Sequence, residues 1–275
     1  MQDKQIHPWF RNAFHAGSFL SLMAGIQLFV LSEKTDIYFA WTIQSSLTAA
    51  TLGGFYFGSM TFGYLSARES TWSNVCGPAI GLFLFLVGTS AATFLHLDKF
   101  HLASENFLTR FVTWVWLAIY ILLPLALTAS SFLQSRLPGN DAERTSTLPS
   151  LFRLLLTLHG LVGVLLSFVL FFSPETLIPS WAWKLTPLTA RALSAWFISF
   201  GVLDLLSIWE NDWRRLRVTS ISYIVTAIFG ILALMRYFAQ ADLSGFIGVG
   251  YMLYLLIMLG VGLYSWKVKK LSLTI

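Results

Sequence analysis

The amino-acid sequence predicts an all-α integral membrane protein with eight transmembrane helices and both termini in the cytoplasm. Three observations carry that prediction. The chain is 56% hydrophobic and only 11% charged, whereas soluble domains are roughly 45–50% apolar and about 25% charged. It holds eight apolar runs, each near the ~20 residues that cross a hydrocarbon core as a helix. Its Lys and Arg residues divide unevenly between the two sides those runs define.

The first run, residues 14–31, follows a polar start containing Lys4 and Arg11. No small-residue cleavage site succeeds it, so it reads as a retained span and not as a signal peptide. The second and third runs are residues 45–67 and 78–97. Gly54 and Gly58, and Gly77 and Gly81, have the small-xxx-small spacing that lets helices approach closely. The fourth, residues 111–133, contains Pro124, whose missing N–H should bend it. The most polar segment, residues 134–150, follows with Pro138, Gly139, Asn140, Asp141, Glu143 and Pro149. The fifth run is residues 151–172. Thr186 and Pro187 form a helix start ahead of the sixth, residues 188–209. Residues 218–237 and 246–266 complete the set, and Gly248, Gly250, Gly260 and Gly262 smooth the last helix.

One face of this frame receives twelve Lys and Arg residues and the other six, which places the first face, with both termini, inside. Indole prefers the headgroup layer. On this topology Trp9, Trp72, Trp209, Trp213 and Trp266 fall at the inner boundary. Trp41, Trp114, Trp116, Trp181 and Trp183 fall at the outer one, and Trp196 lies mid-span.

The polar segment divides the chain into residues 1–133 and 151–275, with residues 134–150 as a cytoplasmic linker. The two parts resemble each other. A shift of 141 aligns Leu47-Thr48-Ala49 with Leu188-Thr189-Ala190, Leu65-Ser66 with Leu206-Ser207, Glu69 with Glu210, and Trp72 with Trp213. A shift of 142 aligns Glu33 with Glu175 and Ala40-Trp41 with Ala182-Trp183. Units with an even number of spans enter from the same side, so the expectation is two parallel four-helix repeats. The aromatic segments 36–41 and 178–183 read as short pieces in the interface, or as plugs over a cavity.

Charge and cysteine narrow the function classes. The net charge of +5 comes from basic residues scattered through short loops, which argues for topology and anionic lipid and against nucleic acid. Arg214, Arg215, Arg217, Lys267, Lys269 and Lys270 are the expected lipid contacts. Cys76 is alone, so neither an intrachain disulfide nor a cysteine-based metal site can form. Phosphate-loop, metalloprotease and nucleophile-elbow motifs are absent, so no catalytic residue, metal or cofactor can be named. Glu210-Asn211-Asp212-Trp213 has the look of an acidic metal motif, but three arginines follow it and a boundary turn fits better.

Ionisable groups inside spans are costly and mark candidate sites. Asp204 in the sixth span and His159 in the fifth lie in the inner half of adjacent antiparallel helices and are expected to meet. Such a pair relays protons, orients a ligand or neutralises itself. Arg191 stands about 20 Å along the helix from Asp204, at the outer end, facing either an anionic group or lipid phosphate. His15 aligns approximately with His159 and joins the candidate set near the inner boundary; His96, His101 and Asp98 cluster at the outer end of the third span. Under the repeat, Ala50 stands for Arg191 and Gly63 for Asp204. The first half therefore lacks both charges, which favours a specific task for the sixth span.

The segment Trp183-Lys-Leu-Thr-Pro-Leu-Thr-Ala-Arg191, with Ala195-Trp196 and Asp212-Trp213-Arg214-Arg215, resembles a group of bacterial multi-spanning membrane proteins. The stretch Leu95-His96-Leu97-Asp98-Lys99-Phe100, with Trp114, Trp116 and Tyr120, is similar to the same group. The resemblance implies a bacterial plasma membrane and brings no activity with it. A small-solute carrier or channel is the first reading. A non-catalytic subunit or assembly partner of a membrane complex is the second, and an enzyme acting on lipid or another hydrophobic substrate the third.

Overall fold

The computed structural model describes residues 2–272, the side chains of 269–272 excepted. Among the described residues the protein is all-helical, with isolated bridges in place of strands. The helices are α1 (Pro8–Gly25, continued by a π-helical turn Ile26–Val30), α2 (Thr35–Tyr38), α3 (Ser46–Arg68), α4 (Cys76–Leu95), α5 (Phe107–Ser135), α6 (Ser150–Phe172), α7 (Pro174–Leu177), α8 (Pro187–Glu210), α9 (Trp213–Arg236) and α10 (Phe246–Ser272). Seven of them are long and apolar enough to cross a membrane: α1 with its π turn, α4, α5, α6, α8, α9 and α10.

The remaining long helix, α3, has 23 residues but falls short in hydropathy. Thr48, Thr51, Gly53, Gly54, Tyr56, Gly58, Ser59, Thr61 and Gly63 dilute its apolar content. Its position explains the composition. α3 lies between α1 and α9, and α8 lies in the same way between α6 and α4. The large exposed apolar side chains fall almost entirely on α1, α4, α5, α6, α9 and α10. A central helix needs small residues for close approach, whereas helices facing lipid need hydrocarbon.

The capping residues account for several helix starts. Thr186 and Thr189 form a reciprocal capping box at α8, with Pro187 in the first turn. Asn106 caps α5 through Leu108 and Thr109, and Ser45 caps α3 through Thr48. Pro124 lies inside α5, which continues past it.

One end of the bundle gathers the N-terminal segment, the 136–149 linker and the helix ends around them. Lys4 hydrogen-bonds Asn140 and Trp72 through its backbone, and Gln134 binds Gln5 and His7. Asn211 closes α8 in the left-handed conformation (φ 46°), and Asp212 caps α9. These two side chains also accept from the backbone of Thr145, Ser146 and Leu148. The acidic-looking motif is thus a helix corner that pins the linker.

The arginines of the basic row differ in their partners. Arg215 has a side chain only 6% exposed and pairs with Glu210 and Asp141, while Arg217 pairs with Glu69. Arg214 and Lys267 are exposed, and the side chains of Lys269 and Lys270 lie outside the described residues.

The tryptophans also divide. Trp9, Trp114, Trp209 and Trp266 are exposed as a belt requires, but Trp41, Trp116, Trp181 and Trp183 are buried. At the opposite end of the bundle, Trp41 packs edge-on to Trp116, and Trp183 edge-on to Tyr251. Aromatic packing there outweighs the indole's preference for the headgroup layer.

Candidate functional site

The Gly-rich contact between α6 and α8 sets the geometry of the site. A Cβ on Gly201 would stand 2.7 Å from the Gly160 carbonyl oxygen and 2.8 Å from the Val164 nitrogen, so the two backbones touch. Gly160 in turn faces the Asp204 side chain. Only hydrogen at these positions permits the approach. It brings His159 of α6 against Asp204 of α8.

His159 Nδ1 and Asp204 Oδ2 form a short hydrogen bond, with both side chains essentially inaccessible. Nδ1–H is the donor, since a carboxylate accepts. The second carboxylate oxygen accepts from the Tyr223 hydroxyl of α9 at 2.9 Å. That hydroxyl also lies 3.1 Å from the Phe200 carbonyl oxygen. The ring of Tyr254, from α10, stacks on His159 with centroids 3.8 Å apart and an interplanar angle of 22°. Four consecutive long helices therefore supply one residue each. His159 Nε2 and the Tyr254 hydroxyl are buried without a hydrogen-bond partner among the described residues.

Beside this cluster is a cleft of about 40 Å³ bounded by α1, α3, α4, α8 and α9, room for a few water-sized groups. Gly17, Ser59, Trp196, Ser199, Tyr223 and Thr226 contribute to its wall. Tyr223 thus belongs to both features, lining the cleft and holding Asp204 with its hydroxyl. A Cβ on Gly17 would meet nothing within 4 Å, so a side chain at this lining position has room.

The other candidates lie elsewhere. His15 is exposed on α1, whereas His159 is 2% exposed. Arg191 donates to the Phe171 carbonyl at 2.9 Å and to His96 Nε2 at 2.8 Å, tying α6 and α4 to the start of α8. His101 Nδ1–H donates to the Phe39 carbonyl, its Nε2 accepts from Thr42, and Asp98 pairs with Lys99. Among the described residues no three His, Cys, Asp or Glu side chains converge as metal ligands would.

His96 lies just beyond the end of α4. Burial, and then the Arg191 guanidinium, hold its imidazole below the ordinary range. The folded protein therefore binds this proton less readily than the unfolded chain does. The associated stability is present above the ordinary imidazole range and is lost as pH falls through it. Wild-type melting temperature is expected to drop between about pH 8 and pH 5 by a component that His96→Gln lacks, since Gln still accepts from Arg191. Equal slopes for the two proteins would refute this.

Tyr223 and Tyr254 were not legible as site residues, because a tyrosine in an apolar span reads as core packing. The available signal was Asp204, since a buried carboxylate needs more donors than one histidine provides. No family model, curated protein or solved structure matches the chain.

Proposed function

We propose that this chain crosses a bacterial plasma membrane eight times, with both termini cytoplasmic, and carries a small solute through the cleft beside Asp204. The observation that carries the reading is the shared wall. Tyr223 lines the cleft and simultaneously holds a carboxylate buried at 0% exposure. A carboxylate so placed is expensive, and is typical of substrate and ion paths in membrane proteins.

The eighth span in this reading is α3, whose length matches its neighbours and whose central place excuses its low hydropathy. Packing supports two parallel repeats, residues 1–133 and 151–275. Exchanging the halves turns the α1–α3 contact into α6–α8 and the α3–α9 contact into α8–α4. It also turns Trp41 on Trp116 into Trp183 on Tyr251. The halves then differ where the carrier needs them to: Gly63 stands for Asp204, with α1 backbone 2.8 Å from where its Cβ would be. Passage requires the halves to move relative to each other so that the cleft opens to each side in turn. The exposure of Arg214 and Lys267, and the partial exposure of Arg217, support anionic lipid contact at these side chains.

A cysteine at Gly17 tests the reading without knowledge of the solute. The chain has one native cysteine, Cys76, and a side chain at position 17 meets nothing within 4 Å. In a Cys76→Ser background, Gly17→Cys is expected to react with a membrane-impermeant thiol reagent. Reaction only with a lipid-soluble maleimide would make the cleft a packing defect of a non-transporting bundle.

A further inference from the structure

We infer that the His159–Asp204–Tyr223 cluster is a proton-binding site, and that the proton is the ion coupled to solute in the cleft. The second half of this inference rests on the carrier reading; the first stands on the geometry of the cluster alone.

An ionised Asp204 beside a neutral His159 carries one negative charge in a space without solvent exposure. One proton on the pair cancels it, so the loaded form is the one that hydrocarbon surroundings favour. The atom free to take that proton is His159 Nε2, which is buried and unpartnered, while Nδ1–H stays bonded to the carboxylate. Loading makes an imidazolium against a carboxylate, and unloading returns the proton from Nε2. No other bond is made or broken. Among the described residues, the titratable groups facing His159 are Asp204 from α8, Tyr223 from α9 and Tyr254 from α10. Histidine is the side chain suited to such exchange near neutral pH.

Tyr223 connects loading to the cleft. Its single O–H faces two acceptors, Asp204 Oδ1 at 2.9 Å and the Phe200 carbonyl at 3.1 Å. A bond to a charged acceptor is roughly twice as strong as one to a neutral acceptor. The uncompensated carboxylate therefore holds the hydroxyl, and a pair carrying its proton holds it less. Because the same tyrosine lines the cleft, proton occupancy changes the wall that a solute meets.

The test uses the full chain in lipid nanodiscs with His7, His15, His96 and His101 replaced by Gln, so that His159 is the one histidine left, and infrared difference spectra between about pH 8 and pH 6. This protein, wild-type at the cluster, is expected to show paired imidazole and carboxyl bands, and ¹⁵N-histidine labelling should shift the imidazole band. Both should vanish together in Asp204→Asn and in His159→Gln, since the proton is held by the pair. Bands that persist in either variant, or a spectrum of the intact cluster without them, would overturn the proton site. The isotope shift is read with the cluster intact, so the assignment survives if a variant does not fold. For the coupling, labelling of Gly17→Cys, corrected against an exposed cysteine, should change at least threefold with pH. Tyr223→Phe should remove that change while keeping the bands. Bands with an unreactive Gly17→Cys would leave a proton site and remove the solute from it. A reactive cleft without bands would leave a carrier driven by something other than protons.

Discussion

Gly201→Ala is expected to destabilise the protein and to disturb the Asp204 cluster with a single added methyl. The added carbon would stand 2.7 Å from the Gly160 oxygen and 2.8 Å from the Val164 nitrogen, and these are backbone atoms that no rotamer change can move. Relief requires α6 and α8 to separate, which stretches the His159–Asp204 bond as well. Overpacking of this kind costs about 1–3 kcal/mol, and loosening a buried polar pair adds to it. A fall of roughly 5–10 °C in the melting temperature of the detergent-solubilised protein should follow. Gly250→Ala supplies the contrast, because a Cβ there meets nothing within 4 Å. It should be neutral or raise stability by up to about 1 kcal/mol, through the better helix propensity of Ala. Equal melting temperatures for the two variants would show that α6 and α8 do not meet as described.

On the carrier reading proposed above, Asp204→Asn is expected to leave the protein inserted and folded but to reduce solute passage at least tenfold. The amide oxygen still accepts from His159 Nδ1, and the amide can satisfy Tyr223 in place of the carboxylate. The stability loss should be about 1–2 kcal/mol, the difference between charge-assisted and neutral hydrogen bonds. What disappears is the charge whose compensation favours a bound proton. Asp204→Ala should behave differently. It strands the buried His159 Nδ1–H and leaves Tyr223 the Phe200 carbonyl alone, and removing one partner of such a set costs about 3–5 kcal/mol, enough to lower the yield of folded protein. Comparing the two variants by size-exclusion profile and by transport separates the structural from the functional part of this carboxylate. An Asn variant with full transport would remove Asp204 from the mechanism.

The contact between His159 and Asp204 was readable beforehand because both sit at similar depth in consecutive antiparallel spans. Depth follows from counting residues at about 1.5 Å each. Tyr223 and Tyr254 were not readable, since which face of α9 and α10 turns inward depends on long-range packing. Arg191 shows the same limit. Its place at the outer end of α8 follows from Thr186 and Pro187, but its partners come from α4 and from the end of α6. Hydropathy averaged along one helix cannot tell that α3 is central, so the helix with the least need of apolar side chains gives the weakest signal. Counting basic residues likewise could not show that Arg215 and Arg217 face Glu210, Asp141 and Glu69.

The sidedness of labelling at position 17 bears most directly on the central claim, that the cleft beside the Asp204 cluster is a path across the membrane. In sealed vesicles of Cys76→Ser/Gly17→Cys protein, impermeant reagent added outside, or trapped inside, should modify the same cysteine from either face. Occupying it from one side should block the other. Reaction from neither side, with ready reaction to a lipid-soluble reagent, would contradict the account and leave a closed bundle with no aqueous route to Tyr223.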